Sequence, residues 1–338
     1  MVKAFIQAVD YHLPAGSLSN EDLNAQFPEW SVDKIAAKTG IENRRIAAED
    51  ELSSDLAAAA IQNVLARTST ARDSIDFLIV CTQSPDRQAA GTAAAVQAKA
   101  GLPLGIGALE FNLGCSGYVY ALGLAKAFIE SGMASSIIVA TVDTYSKYLN
   151  PSDKSVRTIF GDGAAATIVS STSAESEERI YGLVYGTDGT GAPSLIVPNG
   201  GLGDGTLVSP QSAPEVRGLV SNGSDLYMDG PAIFNFTLDV VPTTVERVLH
   251  DSDLQMEEID LFVFHQANRF MLEHLRKRLR IDPDRFWVSM SDTGNTVSST
   301  IPIALREAEK AGVLRPGMKV MLVGFGVGLS WGGLVTQW

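Results

Sequence analysis

The sequence predicts a layered α/β fold made of two similar halves. Runs of apolar, β-branched residues that are typical of buried strands alternate with segments typical of helices over most of the chain. Three pairs of segments also match each other in the same order at nearly one offset. The 338 residues suffice for two halves of about 170 residues, each the size of one domain.

The first half contains two predicted strands, a core helix and a third strand. Residues 1–6 indicate an opening strand, and residues 74–83 indicate a buried one. The helix predicted over 118–131 is apolar on nearly every side, which is typical of a core position. Residues 136–140 form the next predicted strand.

The second half repeats this order, with a strand at 258–266, a helix at 301–311 and a strand at 320–323. The matching positions are Asp76 and Asp260, Gly114-Cys115 and Gly294-Asn295, and Gly132-Met133 and Gly317-Met318, at offsets of 184, 180 and 185. Such a repeat indicates a duplicated unit. We therefore divide the chain into halves at 1–172 and 173–338.

Charge and composition narrow the class of protein. The net charge of −13 disfavours nucleic acid or anionic membrane as a general partner. Two Cys make no disulfide framework and have no partner at metal-site spacing, so we expect no metal. The N-terminus lacks the apolar core of a signal peptide, and no apolar run reaches membrane length. A cytoplasmic protein is expected.

Cys115 is the candidate nucleophile. It stands at the start of the predicted core helix, where unpaired N–H groups and the helix dipole lower the pKa of a thiol. Small neighbours, Gly114, Ser116 and Gly117, leave room for a substrate. A buried Cys more often serves as a small apolar residue. The partners that the repeat supplies favour the nucleophile.

His265 and Asn295 are those partners. In the register of the repeat, His265 occupies the place of Cys81, and Asn295 occupies the place of Cys115. A pseudo-twofold axis between the halves brings the ends of paired elements together. We therefore expect Cys115, His265 and Asn295 to converge at the axis.

The Gly-rich segment 324–333 is not a nucleotide-binding motif. Leu329 stands where the third Gly of G-x-G-x-x-G is required, and the segment leads into a predicted strand rather than a helix. Two interpretations stay open, a simple hairpin and a tight strand–loop–strand whose backbone amides face the site.

These segments together resemble the thiolase-fold condensing enzymes, specifically the β-ketoacyl-acyl-carrier-protein synthase III family, nearly end to end. The matching motifs are Thr39-Gly40-Ile41, Arg44-Arg45-Ile46-Ala47, the Cys115 helix, Ile159-Phe160-Gly161-Asp162-Gly163-Ala164, His265-Gln266-Ala267-Asn268, Gly294-Asn295-Thr296 and Trp331-Gly332. The resemblance implies a five-layered αβαβα fold, a homodimer and a catalytic triad of Cys115, His265 and Asn295.

The resemblance also implies a reaction. Cys115 takes an acyl group from a thioester of coenzyme A or another carrier, and malonyl-acyl carrier protein extends it after losing carbon dioxide. His265 and Asn295 donate hydrogen bonds to the malonyl thioester carbonyl. The backbone N–H groups of Cys115 and Val327 form an oxyanion hole, and no cofactor is needed. The residues assigned to binding of the substrate and its pantetheine arm are Lys34, Lys154, Phe160, Asn268 and Arg269.

Several positions depart from the family pattern. Lys34 stands where the family has the Trp that stacks on adenine, with Trp30 four residues away, and Lys154 stands where the family has an Arg beside the nucleotide. Phe270 replaces another Arg, with Arg269 adjacent. Ala89 falls near the aromatic that closes the acyl pocket across the dimer, which favours a starter larger than acetyl.

A basic cluster follows His265 in this acidic chain, formed by Arg269, Arg276, Lys277 and Arg278. Acyl carrier proteins are acidic, so we expect this helix to be the docking face. A solvated helix face is the alternative.

Other functions fit less well. An acyltransferase or specialised condensing enzyme of the same fold would use the triad with another acceptor. A papain-type hydrolase also uses Cys, His and Asn, but it places Cys near its N-terminus and has no duplication. A non-catalytic scaffold would not need three such residue types on one axis.

Overall fold

A computed structural model describes residues 2–172, 177–199, 201 and 224–338. Its strands are β1 (Ala4–His12), β2 (Gly16–Ser19), β3 (Asn43–Ile46), β4 (Phe77–Cys81), β5 (Gly107–Phe111), β6 (Ser136–Asp143), β7 (Gly163–Ser171), β8 (Ile180–Thr187), β9 (Leu195–Ile196), β10 (Tyr227–Met228), β11 (Leu261–Phe264), β12 (Lys319–Gly326) and β13 (Ser330–Gln337).

Its α-helices are α1 (Asn20–Gln26), α2 (Val32–Thr39), α3 (Ser53–Thr68), α4 (Thr92–Ala100), α5 (Gly117–Glu130), α6 (Lys154–Arg157), α7 (Gly230–Asp251), α8 (Arg269–Arg278) and α9 (Thr300–Lys310). The predicted core helices are therefore correct to within one residue at each end. Within the described residues, every helix is too short or too polar to span a bilayer.

Two large sheets have the same strand order. The first runs β1-β7-β6-β4-β5, and the second runs β8-β13-β12-β11. The shared part has four strands: a parallel pair, β4–β6 or β11–β12, is followed by two antiparallel neighbours. The first sheet has β5 as an additional strand, parallel to β4. This shared order confirms the predicted duplication of an α/β unit.

A pair of aspartates repeats the same contact in both halves. Asp76 precedes β4, and its carboxylate accepts hydrogen bonds from the N–H groups of Ser135 and Ser136 at the start of β6. Asp260 precedes β11, and its carboxylate accepts from the N–H of Lys319 at the start of β12. Each carboxylate sets the register of the parallel pair that follows.

Successive side chains of each strand point to opposite faces of its sheet, and this alternation separates the core into layers. Ile79 and Val139 of the first sheet, and Val263 and Leu322 of the second, pack on α5 and α9 between the sheets. The opposite face of the first sheet packs on α3 and α4. The opposite face of the second sheet packs on α7 and α8. The order helices, sheet, helices, sheet, helices is the expected five-layered αβαβα fold.

The division between the halves stays a prediction. β7 ends at Ser171 and β8 begins at Ile180. The predicted boundary at 172/173 meets residues 173–176, which lie outside the described residues.

Candidate active site

Cys115, His265 and Asn295 line one cavity of about 690 Å³ between the two halves. Cys115 lies just before α5, His265 just after β11, and Asn295 in the segment that leads into α9. Parallel strands β4 and β11 both end at this edge of their sheets, where α/β proteins hold their sites. The three predicted residues are thus brought together from separate segments of the chain.

The hairpin between β12 and β13 covers the thiol of Cys115. An added Cβ at Gly326 would lie 2.9 Å from both Cβ and Sγ of Cys115, and one at Gly324 would lie 2.7 Å from the Cys115 carbonyl oxygen. Only glycine permits this approach. The predicted strand–loop–strand is therefore present, and its backbone does face the site.

Two opposing effects act on the Cys115 thiol. Burial and the nearby Asp143 raise its pKa, whereas hydrogen bonds from the backbone N–H groups of Cys115 and Val327 lower it. Burial is the larger effect, so the net direction is upward. The backbone N–H groups act in the direction expected of a helix N-terminus, but burial of the sulfur outweighs them.

A serine pair holds the Val327 segment in place. The hydroxyl of Ser330 donates to the Val327 carbonyl at 2.8 Å. The hydroxyl of Ser116, the residue after the nucleophile, lies 2.7 Å from that of Ser330. The two N–H groups that reach the thiol are therefore tied to one another.

His265 is buried with one ring nitrogen occupied. Its Nδ1 lies 2.7 Å from the hydroxyl of Thr300, at the start of α9. The edge of its ring meets Phe325, with centroids 5.4 Å apart. Burial lowers the pKa of His265 to about 3, so the ring is neutral at physiological pH. Nε2 is the nitrogen left for the cavity.

Asn295 is fixed by the backbone on both sides. Its N–H donates to the carbonyl of Ile159, and its own carbonyl accepts from Gly161. Its side-chain Oδ1 accepts from the N–H of Val297 at 2.9 Å. The amide nitrogen is consequently the part of the side chain available to a ligand.

A carboxylate behind the site joins the two halves. Asp143, at the end of β6, accepts hydrogen bonds from the N–H of Gln83 and from both the N–H and the hydroxyl of Ser298. Burial raises the pKa of Asp143 to about 7. Sequence reasoning missed this residue, because only the fold brings β6 next to the turn after Asn295.

The mouth of the cavity contains Trp30, Lys38 and Lys154. The ammonium groups of Lys38 and Lys154 lie 5.0 and 5.4 Å from the centre of the Trp30 ring. Phe160 and Asn268 line the same cavity. Lys34 lies one helical turn before Lys38, is exposed and is not among the lining residues, so its predicted role gains no support.

The basic cluster lies on α8, beside this mouth. Asn268 caps the helix by accepting from the N–H of Met271. Lys277 and Arg278 are exposed, whereas Arg276 bonds to Glu273 and to the Ile281 carbonyl. The neighbouring Phe270 is 51% exposed, which leaves an aromatic edge beside the charges.

Ala89 lies apart from the cavity in this single chain. It is exposed in the loop between β4 and α4, and it is not among the residues that line the cavity. A role in the acyl pocket would need a second copy of the chain.

Comparisons with known proteins agree with this geometry. The family model for 3-oxoacyl-(acyl-carrier-protein) synthase III matches residues 109–189, and that for its C-terminal region matches residues 249–338. The β-ketoacyl-(acyl-carrier-protein) synthase III of Caldanaerobacter subterraneus is 35% identical, covering 100% of this chain and 98% of that protein.

Solved structures extend the likeness to the whole fold. A crystal structure of a 3-oxoacyl-(acyl-carrier-protein) synthase III is 46% identical with a TM-score of 0.93, covering 99% of this chain and 100% of that one. A 3-oxoacyl-(acyl-carrier protein) synthase from Burkholderia xenovorans is 34% identical with a TM-score of 0.92, covering 99% and 94%. The chain belongs to the 3-oxoacyl-(acyl-carrier-protein) synthase III family of thiolase-fold condensing enzymes.

Proposed function

We propose that the protein condenses an acyl thioester starter with malonyl-acyl carrier protein through an acyl-Cys115 intermediate. The product is a β-ketoacyl thioester two carbons longer than the starter, with release of carbon dioxide. The observation that carries the proposal is the meeting of one thiol, two backbone N–H groups and two side-chain donors at one cavity.

In the first step, Sγ of Cys115 attacks the carbonyl carbon of the starter thioester. The new S–C bond forms, the carrier leaves as a thiol and the acyl group stays on the enzyme. The N–H groups of Cys115 and Val327 stabilise the oxyanion that forms during attack. Burial raises the pKa of the thiol, and hydrogen bonds from these two N–H groups act in the opposite direction. The same two donors therefore also favour the reactive thiolate.

In the second step, the malonyl carboxylate leaves as carbon dioxide, and its electron pair becomes an enolate. The imidazole of His265 and the amide of Asn295 donate hydrogen bonds to the thioester oxygen, where the charge develops. The enolate carbon then attacks the acyl carbonyl, and Cys115 leaves as a thiolate. Every step is assigned to a side chain or backbone group of the chain, so we propose thioester substrates and no separate cofactor.

The acyl carrier protein is the proposed partner, and α8 is its proposed docking face. The exposed cations Lys277 and Arg278 suit an acidic partner, and α8 begins beside the cavity mouth. A phosphopantetheine arm entering there would pass Trp30 and Lys154. The ammonium group of Lys154 suits the phosphate of the arm.

We also propose a cytoplasmic homodimer. Strand β5 lies at the edge of its sheet, and Leu104 before it is 96% exposed. An edge strand of this kind is a ready site for pairing with a second copy.

The state of the cysteines supports the proposed cytoplasmic location. Both Cys are buried and free, as expected of a protein in a reducing compartment.

Mass spectrometry of reaction mixtures tests the function. The protein is incubated with malonyl-acyl carrier protein and a panel of acyl thioesters that differ in chain length. We expect a stable acyl mass on the Cys115 peptide, followed by carbon dioxide and a β-keto product. Acyl transfer to a carrier without carbon dioxide would instead support the acyltransferase alternative.

A further inference from the structure

We propose that Thr300 is a positioning residue that gives its hydroxyl hydrogen to Nδ1 of His265. The ring proton is then on Nε2, which donates into the cavity. This inference rests on the proposed function, in which His265 acts as a hydrogen-bond donor.

The contact is short, buried and isolated from solvent. Thr300 Oγ1 lies 2.7 Å from His265 Nδ1, and the two residues are 3% and 2% exposed. A neutral imidazole has one N–H and one lone pair. Whichever role Nδ1 takes toward Thr300, Nε2 must take the opposite one toward the substrate.

Thr300 has a second possible acceptor for its hydroxyl hydrogen. Its hydroxyl also lies 3.1 Å from the Val297 carbonyl. That carbonyl already accepts from the backbone N–H of Thr300. Giving the hydroxyl hydrogen to His265 therefore leaves no buried acceptor without a partner, and it uses the shorter of the two contacts.

The same turn directs Asn295. The Val297 N–H holds Oδ1 of Asn295, so the amide nitrogen is left as the donor. Val297 achieves this with a φ of 54°, a left-handed conformation that costs energy for a β-branched residue. One short segment thus presents two N–H donors to the same side of the cavity.

The test compares Thr300→Val with Thr300→Ser. Valine keeps the size of the side chain and removes the hydroxyl, whereas serine retains it. Nitrogen-15 NMR of histidine-labelled protein reports which ring nitrogen carries the proton. The chain has only four His, so a His265→Ala spectrum identifies the signal. Carbon dioxide release from malonyl-acyl carrier protein and acylation of Cys115 are measured in parallel.

We expect Nε2–H in the parent protein and in Thr300→Ser. In Thr300→Val, we expect that signature to be lost, with decarboxylation falling about tenfold to a hundredfold, as for partners that orient a functional His. Acylation should be nearly unchanged. Thr300→Ala is a second variant without the hydroxyl. Unfolding temperatures of all variants show whether any loss of rate comes from a folding defect.

Two outcomes overturn the assignment of Thr300: Nδ1–H in the parent protein, or an unchanged spectrum and rate in both Thr300→Val and Thr300→Ala. A third outcome would support the role of Thr300 while contradicting the proposed function. If Thr300→Val alters the tautomer while His265→Ala decarboxylates normally, Thr300 does set the tautomer, and the role proposed for His265 fails.

Discussion

The two halves share a scaffold but place different chemistry at equivalent points. In the first half, β4 ends in Cys81, which is fully buried and donates to the Leu113 carbonyl. In the second half, β11 leads into His265, which lines the cavity. Cys115 and Asn295 occupy the next pair of equivalent positions.

The halves also brace each other reciprocally. Asp143 at the end of β6 holds Ser298 of the second half. Gly326, at the equivalent end of β12, packs on Cys115 of the first half. A duplicated fold thus offers pairs of equivalent positions, and contact with the cavity determines which member of each pair serves the chemistry.

The largest expected effect is on acyl-enzyme formation, which should depend on Cys115 and not on Cys81. Cys115→Ser should form no acyl-enzyme, because a hydroxyl has a far higher pKa than a thiol and no base is assigned to deprotonate it. Cys81→Ser should acylate normally, since Cys81 lies outside the cavity lining. Intact-mass spectrometry after incubation with an acyl thioester measures both. An acyl adduct on Cys115→Ser would refute the choice of nucleophile.

The second half should control the second step. His265→Ala and Asn295→Ala are expected to acylate Cys115 but to lose malonyl decarboxylation by about 10²–10³-fold each, the effect of removing one oxyanion donor. Single-turnover acylation and carbon dioxide release are measured separately. Loss of acylation with decarboxylation intact would reverse the roles assigned to the halves.

The helices after the equivalent strands differ in charge. α4 contains one cation, Lys99, which is paired with Asp55 at 2.7 Å, whereas α8 carries the basic cluster. Lys277→Glu and Arg278→Glu should slow reaction with malonyl-acyl carrier protein on the order of tenfold at low salt, and less as salt screens the charges. Reaction with a free pantetheine thioester should be unchanged.

Arg315→Glu is the matched control for those variants, because Arg315 is exposed before β12, at the other end of the sheet from the cavity. Equal slowing with both substrates, or no slowing with either, would exclude α8 as the docking face.

A further difference between the halves is that the first half reaches the second through a buried carboxyl group, that of Asp143. Burial raises the pKa of Asp143 to about 7, so the folded state keeps a proton that the unfolded chain releases near pH 4. Stability should therefore fall as pH rises from about 4 to about 7, by at most about 1.4 kcal/mol per pH unit.

Urea unfolding at several pH values tests this brace. Asp143→Asn should flatten the pH dependence relative to the parent protein, and the exposed Asp33→Asn should leave it unchanged. Parallel curves for the parent protein and Asp143→Asn would rule out this titration.

The sequence alone was sufficient to predict the strands and helices that occur in both halves. Continuous apolar, β-branched runs located the central strands, and the register of the repeat identified His265 and Asn295 from Cys115. Patterns of this kind are visible because buried strands and core helices impose their period on the residues.

The supporting contacts could not be predicted in the same way. Asp143 and Ser298 meet only through packing of the two halves. Val297 adopts a left-handed conformation against its own preference, so propensity argues against the turn that it forms. Lys38 and Lys154, which are distant in sequence, both lie over the Trp30 ring at the cavity mouth. The family pattern had pointed to Lys34.

The pairing of distant strands has a consequence for synthesis of the chain. Among the described strands, β1 pairs with β7 alone and β8 pairs with β13 alone. At translation rates of about 5–20 residues per second, β1 waits on the order of ten seconds or more before β7 emerges from the ribosome. β8 likewise stays unpaired until β13, far along the chain, has emerged. We expect the nascent protein to expose two unpaired strands in succession, which makes it a client for chaperones that shield strand edges.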